Sequence, residues 1–328
     1  MSIKIAERLR PFSHVPGVSC LVPKTKVVVQ IFPTLLRFEN GQEISLDLEG
    51  PIKKFTVEQD LEKGRLCIFG HSKQGYFRYF IFQDKEEIKI HFDKFPLPLA
   101  PISISNPFEE VQESKERLSL GMHKAQDWEM IRRRSDLKEI FPLWIKLAGL
   151  TPDIVSSAHP LLLSCEELIE RGSKLTIYES FLSFYLAGFY DMLVPRLQDN
   201  QHQGFAPYME KGSPHFLLKK GASLIRALFF QEQEGLFSLL PCLPPEFHAG
   251  RYLNLKTSCG EVDLEWSKKM LRRVTLRIDR EAKIRLELPK GIKSYRLRKS
   301  FQEHGLSISA EEALSLSPGT FFLDRFTR

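Results

Sequence analysis

Through the first hundred residues apolar and polar positions alternate in short runs. "VSCLVP", "KVVVQIF", "TLLRFE", "EISLDLE", "IKKFTVE", "RLCIFG", "YFRYFIF" and "EIKIHFD" are rich in Val, Ile, Phe and Tyr, and Pro, Gly, Asn-Gly and Lys-Gly separate them. A period of two in runs this short predicts strands, and Asn40-Gly41 between two of them is a strong hairpin signal. Eight such strands predict an antiparallel β-sandwich over residues 1–100. The opening "RLRPFSHVPG" is expected to lie as a loop across the sheet.

The period then changes. "KFPLPLAPISISNPFEE" reads as a stiff Pro-rich linker, and from about residue 107 the pattern is helical, clearest in "LKEIFPLWIKLAGL". "LLLSCEELIERG" predicts a helix closed by Gly172. "TIYESFLSFYLAGFYDMLV", apolar nearly all round, predicts a buried central helix. A long polar loop follows, "PRLQDNQHQGFAPYMEKGSP". Leu217, Leu218, Leu224, Ile225, Leu228 and Phe229 then recur at helical spacing, and Gly235 is expected to end that helix. Beyond it the chain turns β again: Leu236 to Leu240, a corner at Pro241-Cys242-Leu243-Pro244-Pro245, then "YLNLKTS", "EVDLEWS" and "RRVTLRI", with turns at Cys259-Gly260 and Lys268-Lys269. "IKSYRLRKS" predicts another strand, and "ALSLSPGTFFLDRF" a closing hairpin.

The expected fold class is therefore α+β and multidomain. It comprises an N-terminal antiparallel β-sandwich (1–100), an all-α middle (101–235, with its Pro-rich lead-in) and a C-terminal antiparallel β-domain (236–328).

One stretch carries a resemblance. Leu239-Leu240-Pro241-Cys242-Leu243-Pro244, followed by Gly260-Glu261-Val262-Asp263-Leu264-Glu265-Trp266, is similar to the helix-to-β-domain junction of the family 95 glycoside hydrolases, within the six-hairpin (α/α)6-barrel glycosidases. The likeness spans roughly sixty residues. It implies that the middle is a shortened six-hairpin array, and that an acidic general base followed by Gly and Asn stands just before the last helix. Counting back places that position near Phe216, in "GSPHFLLKKG", where His215 is the nearest titratable group. Glycoside hydrolysis needs two carboxyl groups flanking the bond. The resemblance thus implies the scaffold without the chemistry unless another carboxylate has taken over.

Composition changes this picture little. The chain has 328 residues, 42% hydrophobic and 27% charged, as a folded globular protein does. No apolar run is long enough for a membrane span and no signal-peptide core opens the chain, so a cytoplasmic location is expected. Five scattered cysteines without a CxxC pair suit a reducing compartment and give no zinc or redox motif. No metal site and no cofactor is expected: H-E-x-x-H, P-loop, G-x-G-x-x-G and G-x-S-x-G patterns are absent from the sequence.

Net charge is +6, but from Lys268 to Lys299 there are 13 Lys and Arg against 3 acids. In "VTLRIDREAKIRLEL" the apolar residues Val274, Leu276, Ile278, Ile284, Leu286 and Leu288 occupy alternate positions. That pattern predicts a half-buried sheet with a charged outer face.

The candidate ligand-binding residues are His123, Gln126, Asp127 and Trp128, plus Asp199 in the long loop. Imidazole, amide, carboxylate and indole groups close together suit a sugar, which presents an apolar face and a ring of hydroxyls. Asp127 equally suits a helix start, and Trp128 the core. Asp199 or Glu210 would supply a relocated base, and Glu179 and Asp191, which one long helix would place about three turns apart, would serve as an acid where burial raises the pKa. No catalytic residue is assigned. Three readings stay open: a non-catalytic glycosidase relative that binds a glycan or serves as an interaction scaffold; a carbohydrate hydrolase with a relocated carboxylate pair; and a module that binds nucleic acid or another acidic partner through Arg272, Arg273 and their neighbours. Carbohydrate is the favoured partner over nucleic acid.

Overall fold

The computed structural model describes residues 3–96, 99–107, 109, 111–122, 124–155, 159–206, 213–300 and 302–327. All eight predicted N-terminal strands form. Val18–Leu21 (β2), Val28–Ile31 (β3), Leu35–Phe38 (β4) and Glu43–Ser45 (β5) make a four-stranded antiparallel meander, preceded in the chain by Phe12–Ser13 (β1). Lys53–Asp60 (β6), Arg65–Ser72 (β7), Gly75–Asp84 (β8), Glu87–Lys94 (β9) and Ile102–Ser105 (β10) form a second sheet with β1 at its other edge. Asn40-Gly41 turns β4 into β5: Gly41 takes a positive φ of 85° and the Asn40 side chain accepts from Gln42 N at 3.0 Å. The inward residues of both sheets belong to one buried core, and Gln59 Nε2 bridges the sheets by donating to Leu21 O at 2.9 Å.

Two N-terminal expectations change. The opening segment is an edge strand, with Phe12 opposite Glu58 and Ser13 opposite Val57. The Pro-rich lead-in contains the strand β10, because its Ile-Ser-Ile-Ser alternation supplies a pairing edge opposite Ile90 and Ile88.

The all-α middle of six-hairpin type is not what the chain forms. Strand accounts for 40% of residues and helix for 18%, with five helices among the described residues. Arg117–Ser119 (β11) leaves the middle and pairs with the C-terminal sheet. The helices Trp128–Arg134 (α1), Leu137–Ala148 (α2), Pro160–Glu170 (α3) and Ile177–Gly188 (α4) follow. Gly172 does close α3, at φ 63°, with Ser173 N donating to Leu168 O at 2.9 Å. The long central helix, however, stops at Gly188, where Phe189 turns extended. Phe189–Tyr190 (β12) then pairs back on Val194–Pro195 (β13) through a turn in which Asp191 and Leu193 have positive φ. An apolar run cannot show where helix yields to a tight hairpin of equal hydrophobicity. Glu179 and Asp191 therefore do not share a helix.

His215–Phe229 (α5) is the amphipathic helix the sequence predicts, but it ends earlier, and Gly235 serves a hairpin turn between Phe230–Gln233 (β14) and Leu236–Leu239 (β15). After the proline corner, Ala249–Thr257 (β16), Gly260–Ser267 (β17) and Met270–Ile278 (β18) run antiparallel. Ala282–Glu287 (β19) joins β15 in parallel. Ser294–Arg298 (β20), Leu306–Ser309 (β21), Leu314–Leu316 (β22) and Gly319–Thr327 (β23) complete the chain. The predicted closing hairpin is replaced by a switch between sheets: β22 pairs with β19, and β23 with β18 and β20, across a Pro318-Gly319 corner. The principal C-terminal sheet runs β11-β16-β17-β18-β23-β20-β21. The helix-to-sheet passage through the proline corner thus stands. The core is continuous along the chain: Leu21, Trp144, Phe229 and Trp266 are all members of one buried cluster.

Candidate functional site

The residues nominated from sequence hold the chain together. Asp127 caps α1, accepting from Met130 N at 3.3 Å, and Trp128 lies in the core at 1% exposure. Gln126 staples the N-terminal arm: its Oε1 accepts from Arg10 N at 2.6 Å and its Nε2 donates to Arg8 O at 2.8 Å. His123 and Glu210 lie outside the described residues. Asp199 Oδ2 accepts from Phe205 N at 3.1 Å. Desolvation pulls its pKa upward, but the backbone N–H groups of Gln203, Phe205, Gln201 and Gly204 outweigh that and hold it below the ordinary carboxylate value. Asp191 accepts from Ser19 N at 2.9 Å and sits 3.9 Å from an Arg132 nitrogen, while Glu179 is solvent-exposed on α4. None of the hydrogen bonds or ion pairs among the described residues joins Asp199 to residues 126–128.

At the start of α5, His215 is 4% exposed and its Nδ1 lies 2.6 Å from Ser213 Oγ, while Nε2 has no partner among the described residues. Burial, helped by the nearby Lys26 charge, pushes this imidazole down to about 4. The unfolded chain takes the proton near 6.5 and the folded chain only near 4, so between those values acid favours unfolding. Stability is fully present above pH 6.5 and falls by up to about 3 kcal/mol as pH approaches 4, at about 1.4 kcal/mol per pH unit. Urea denaturation at about pH 7 and about pH 4.5 should reveal this loss, and His215→Leu should lose most of it. An equal loss in the variant would assign it to other groups.

An open groove of about 540 Å³ is a feature that the sequence reading missed. Its walls are residues 112–116, the β16–β17 hairpin end (Lys256 to Glu261, with Asn254), and Asp279 with Arg280 after β18. The pairing of β11 with β16 brings the first wall to the second. Ser114 N donates to Gly149 O at 3.2 Å, and Asn254 Nδ2 donates to Lys115 O at 3.0 Å. Asn254 stands in a β-bulge at φ 57°, its own N–H donating to Asp263 Oδ1 at 2.9 Å. Such bulges re-aim side chains at sheet rims.

Glu116 backs the groove as a hub. It accepts from Arg226 Nε at 2.9 Å, from the Tyr252 hydroxyl at 3.1 Å and from Lys256 N at 3.2 Å, tying α5 to the sheet. Burial, with the Glu116 carboxylate beside it, keeps the Tyr252 phenol well above its ordinary pKa and hence neutral. No aromatic side chain is among the groove's lining residues. The sequence signals that touch it, the Cys259-Gly260 turn and Gly260-Glu261 at the head of the "GEVDLEW" segment, spoke for fold alone.

The basic excess has a structural use. Arg273 pairs with Glu265, Arg277 with Asp263 at 2.6 Å and Glu261 at 3.0 Å, and Arg296 and Arg298 with Asp324 at 2.7 and 2.5 Å. Their acids lie on β17 and β23, outside the window that looked so basic. Val274, Leu276, Ile278, Ile284 and Leu286 are buried, as the alternation predicts. Burial alone would raise the Glu265 carboxyl, but hydrogen bonds from Arg273 and Arg251 hold it below its ordinary value. No helix of the described residues is long and apolar enough to cross a membrane. No protein-family model and no curated protein matches the chain.

Proposed function

We propose that this chain is a glycosidase-derived binding scaffold, which holds a glycan in the groove between residues 112–116 and the β16–β17 hairpin without cleaving it. The single observation that supports this most is the start of α5. The resemblance puts a general base there, but the chain has Phe216, 5% exposed, its ring centroid 5.9 Å from that of His159. A phenyl ring neither activates water nor attacks an anomeric carbon, and a core position gives no room for a sugar. Three of the carboxylates that might have replaced the base serve the fold instead, Asp127 as a cap and Asp191 and Asp199 as acceptors of backbone N–H groups. The groove, in turn, offers amide, hydroxyl, carboxylate and ammonium groups of the kind that meet sugar hydroxyls.

A thermal-shift screen against oligosaccharides, run beside an aryl-glycoside turnover assay, tests the reading. At least one oligosaccharide should raise the melting temperature, with no turnover above background. Turnover that disappears in Asp127→Asn or Asp191→Asn would overturn the proposal and establish a relocated catalytic pair.

A further inference from the structure

The charges in the groove are not balanced once their internal partners are counted. Of its four acids, Glu113 pairs with Lys24, Glu116 with Arg226 at 2.9 Å and Glu261 with Arg277 at 3.0 Å, which leaves Asp279. Its three cations are engaged differently. Lys115 and Lys256 make no side-chain ion pair or hydrogen bond among the described residues, and both are exposed. Arg280 donates only to a carbonyl, that of Ser258. A carbonyl orients a guanidinium without neutralising it.

Arginines hold Glu116 and Glu261 and Lys24 holds Glu113, so one free carboxylate, Asp279, stands against three cations that no carboxylate neutralises among the described residues. A bound neutral sugar would leave that positive charge uncompensated. An anionic group would neutralise it, and Arg280 is preorganised by its bond to Ser258. Walls that bring several like charges together also concentrate their field.

We infer that the groove selects an anionic saccharide, one bearing carboxylate or sulfate groups, with Lys115, Lys256 and Arg280 as the groups that distinguish it from a neutral chain. This rests on the glycan-binding reading above and narrows it to a ligand class. Carboxylate and sulfate share the chemistry that these cations recognise, planar or tetrahedral oxyanions accepting from N–H donors.

The test is isothermal titration of the full chain with three oligosaccharides of matched length: an oligogalacturonide, a heparin-derived fragment and a neutral cello-oligosaccharide. Lys115→Gln/Lys256→Gln is titrated in parallel, its fold checked by thermal melting; both side chains are exposed and unpaired, so it should fold normally. One anionic ligand, which itself distinguishes carboxylate from sulfate, should bind at least about tenfold more tightly than the neutral one. The double variant should lose most of that preference, and added salt should weaken the wild type more than the variant. Neutral and anionic chains binding alike would overturn the inference and leave the glycan reading standing. Anionic preference that survives the double variant would overturn its placement in this groove. No binding of any of the three would overturn the inference and the glycan reading together.

Discussion

Gly260→Ala should cost upwards of about 4 kcal/mol and leave little folded protein at ambient temperature. Gly260 opens β17 at φ 147°, a conformation that side-chain-bearing residues rarely adopt. The space is worse than the angle. A Cβ placed there would stand 1.9 Å from Arg277 O and 2.9 Å from Arg277 C. Both atoms are backbone of β18 opposite, so no rotamer change relieves the overlap, and the strands must part. Parting them breaks the Glu261–Arg277 register and the Asp263–Arg277 bonds at 2.6 Å, which fix one wall of the groove. Far-ultraviolet dichroism and urea denaturation of the purified variant give the answer. A variant within about 1 kcal/mol of the wild type would mean that the hairpin end is far more pliable than its geometry implies.

This glycine also shows what the sequence could and could not tell. The segment "GEVDLEW" reads correctly as a strand, because Val262, Leu264 and Trp266 alternate inward and are all nearly inaccessible. The eight N-terminal strands were legible for the same reason, each bounded by a residue that breaks pairing. Legibility failed where local pattern and tertiary demand diverge. From Thr176 to Val194 hydrophobicity is nearly constant, so nothing local marks the switch at Phe189 from helix to hairpin. The "ISIS" of β10 was hidden among prolines whose flanking positions do not interrupt its pairing.

The candidate site was the least legible part. One wall comes from residues 112–116 and the others from residues 254–261 and 279–280, far along the chain, and the β11–β16 pairing brings them together. The acids inside it were invisible as partners, since Glu116 is far in sequence from both Arg226 and Tyr252. In contrast, Asp127 drew notice because its neighbours were chemically varied, yet a carboxylate just ahead of an apolar-periodic run is a cap more often than a catalyst. The structural alternative weighed for Asp127 and Trp128 is the one the chain adopts.

Trp144→Ala should cost about 3–5 kcal/mol, the usual range for deleting a large buried aromatic side chain. Trp144 is inaccessible at the meeting of three helices: it stacks edge-on to Phe184 of α4 at 5.3 Å and to Phe189 at 4.3 Å, and its Nε1 donates to Leu218 O of α5 at 2.9 Å. The close approach of α2 to α5 depends on Gly221, where a Cβ would meet Trp144 Cζ2 at 2.3 Å. Gly221→Ala alone should therefore destabilise through overpacking, by about 1–3 kcal/mol. In the Trp144→Ala background the obstructing indole is gone, and the Phe184 ring, whose Cε1 would stand 3.1 Å from the new Cβ, can shift into the space the indole leaves. There the better helix propensity of alanine, about 1 kcal/mol over glycine, and the partial filling of the cavity should make the same change stabilising. A reversal of sign is the diagnostic result, because additive mutations cannot produce it. Urea denaturation of the two single variants and the double variant completes the cycle. If Gly221→Ala destabilises equally in both backgrounds, the α2–α5 contact is not built on this pair, and the helical layer that carries Arg226 toward the groove must be held by other residues.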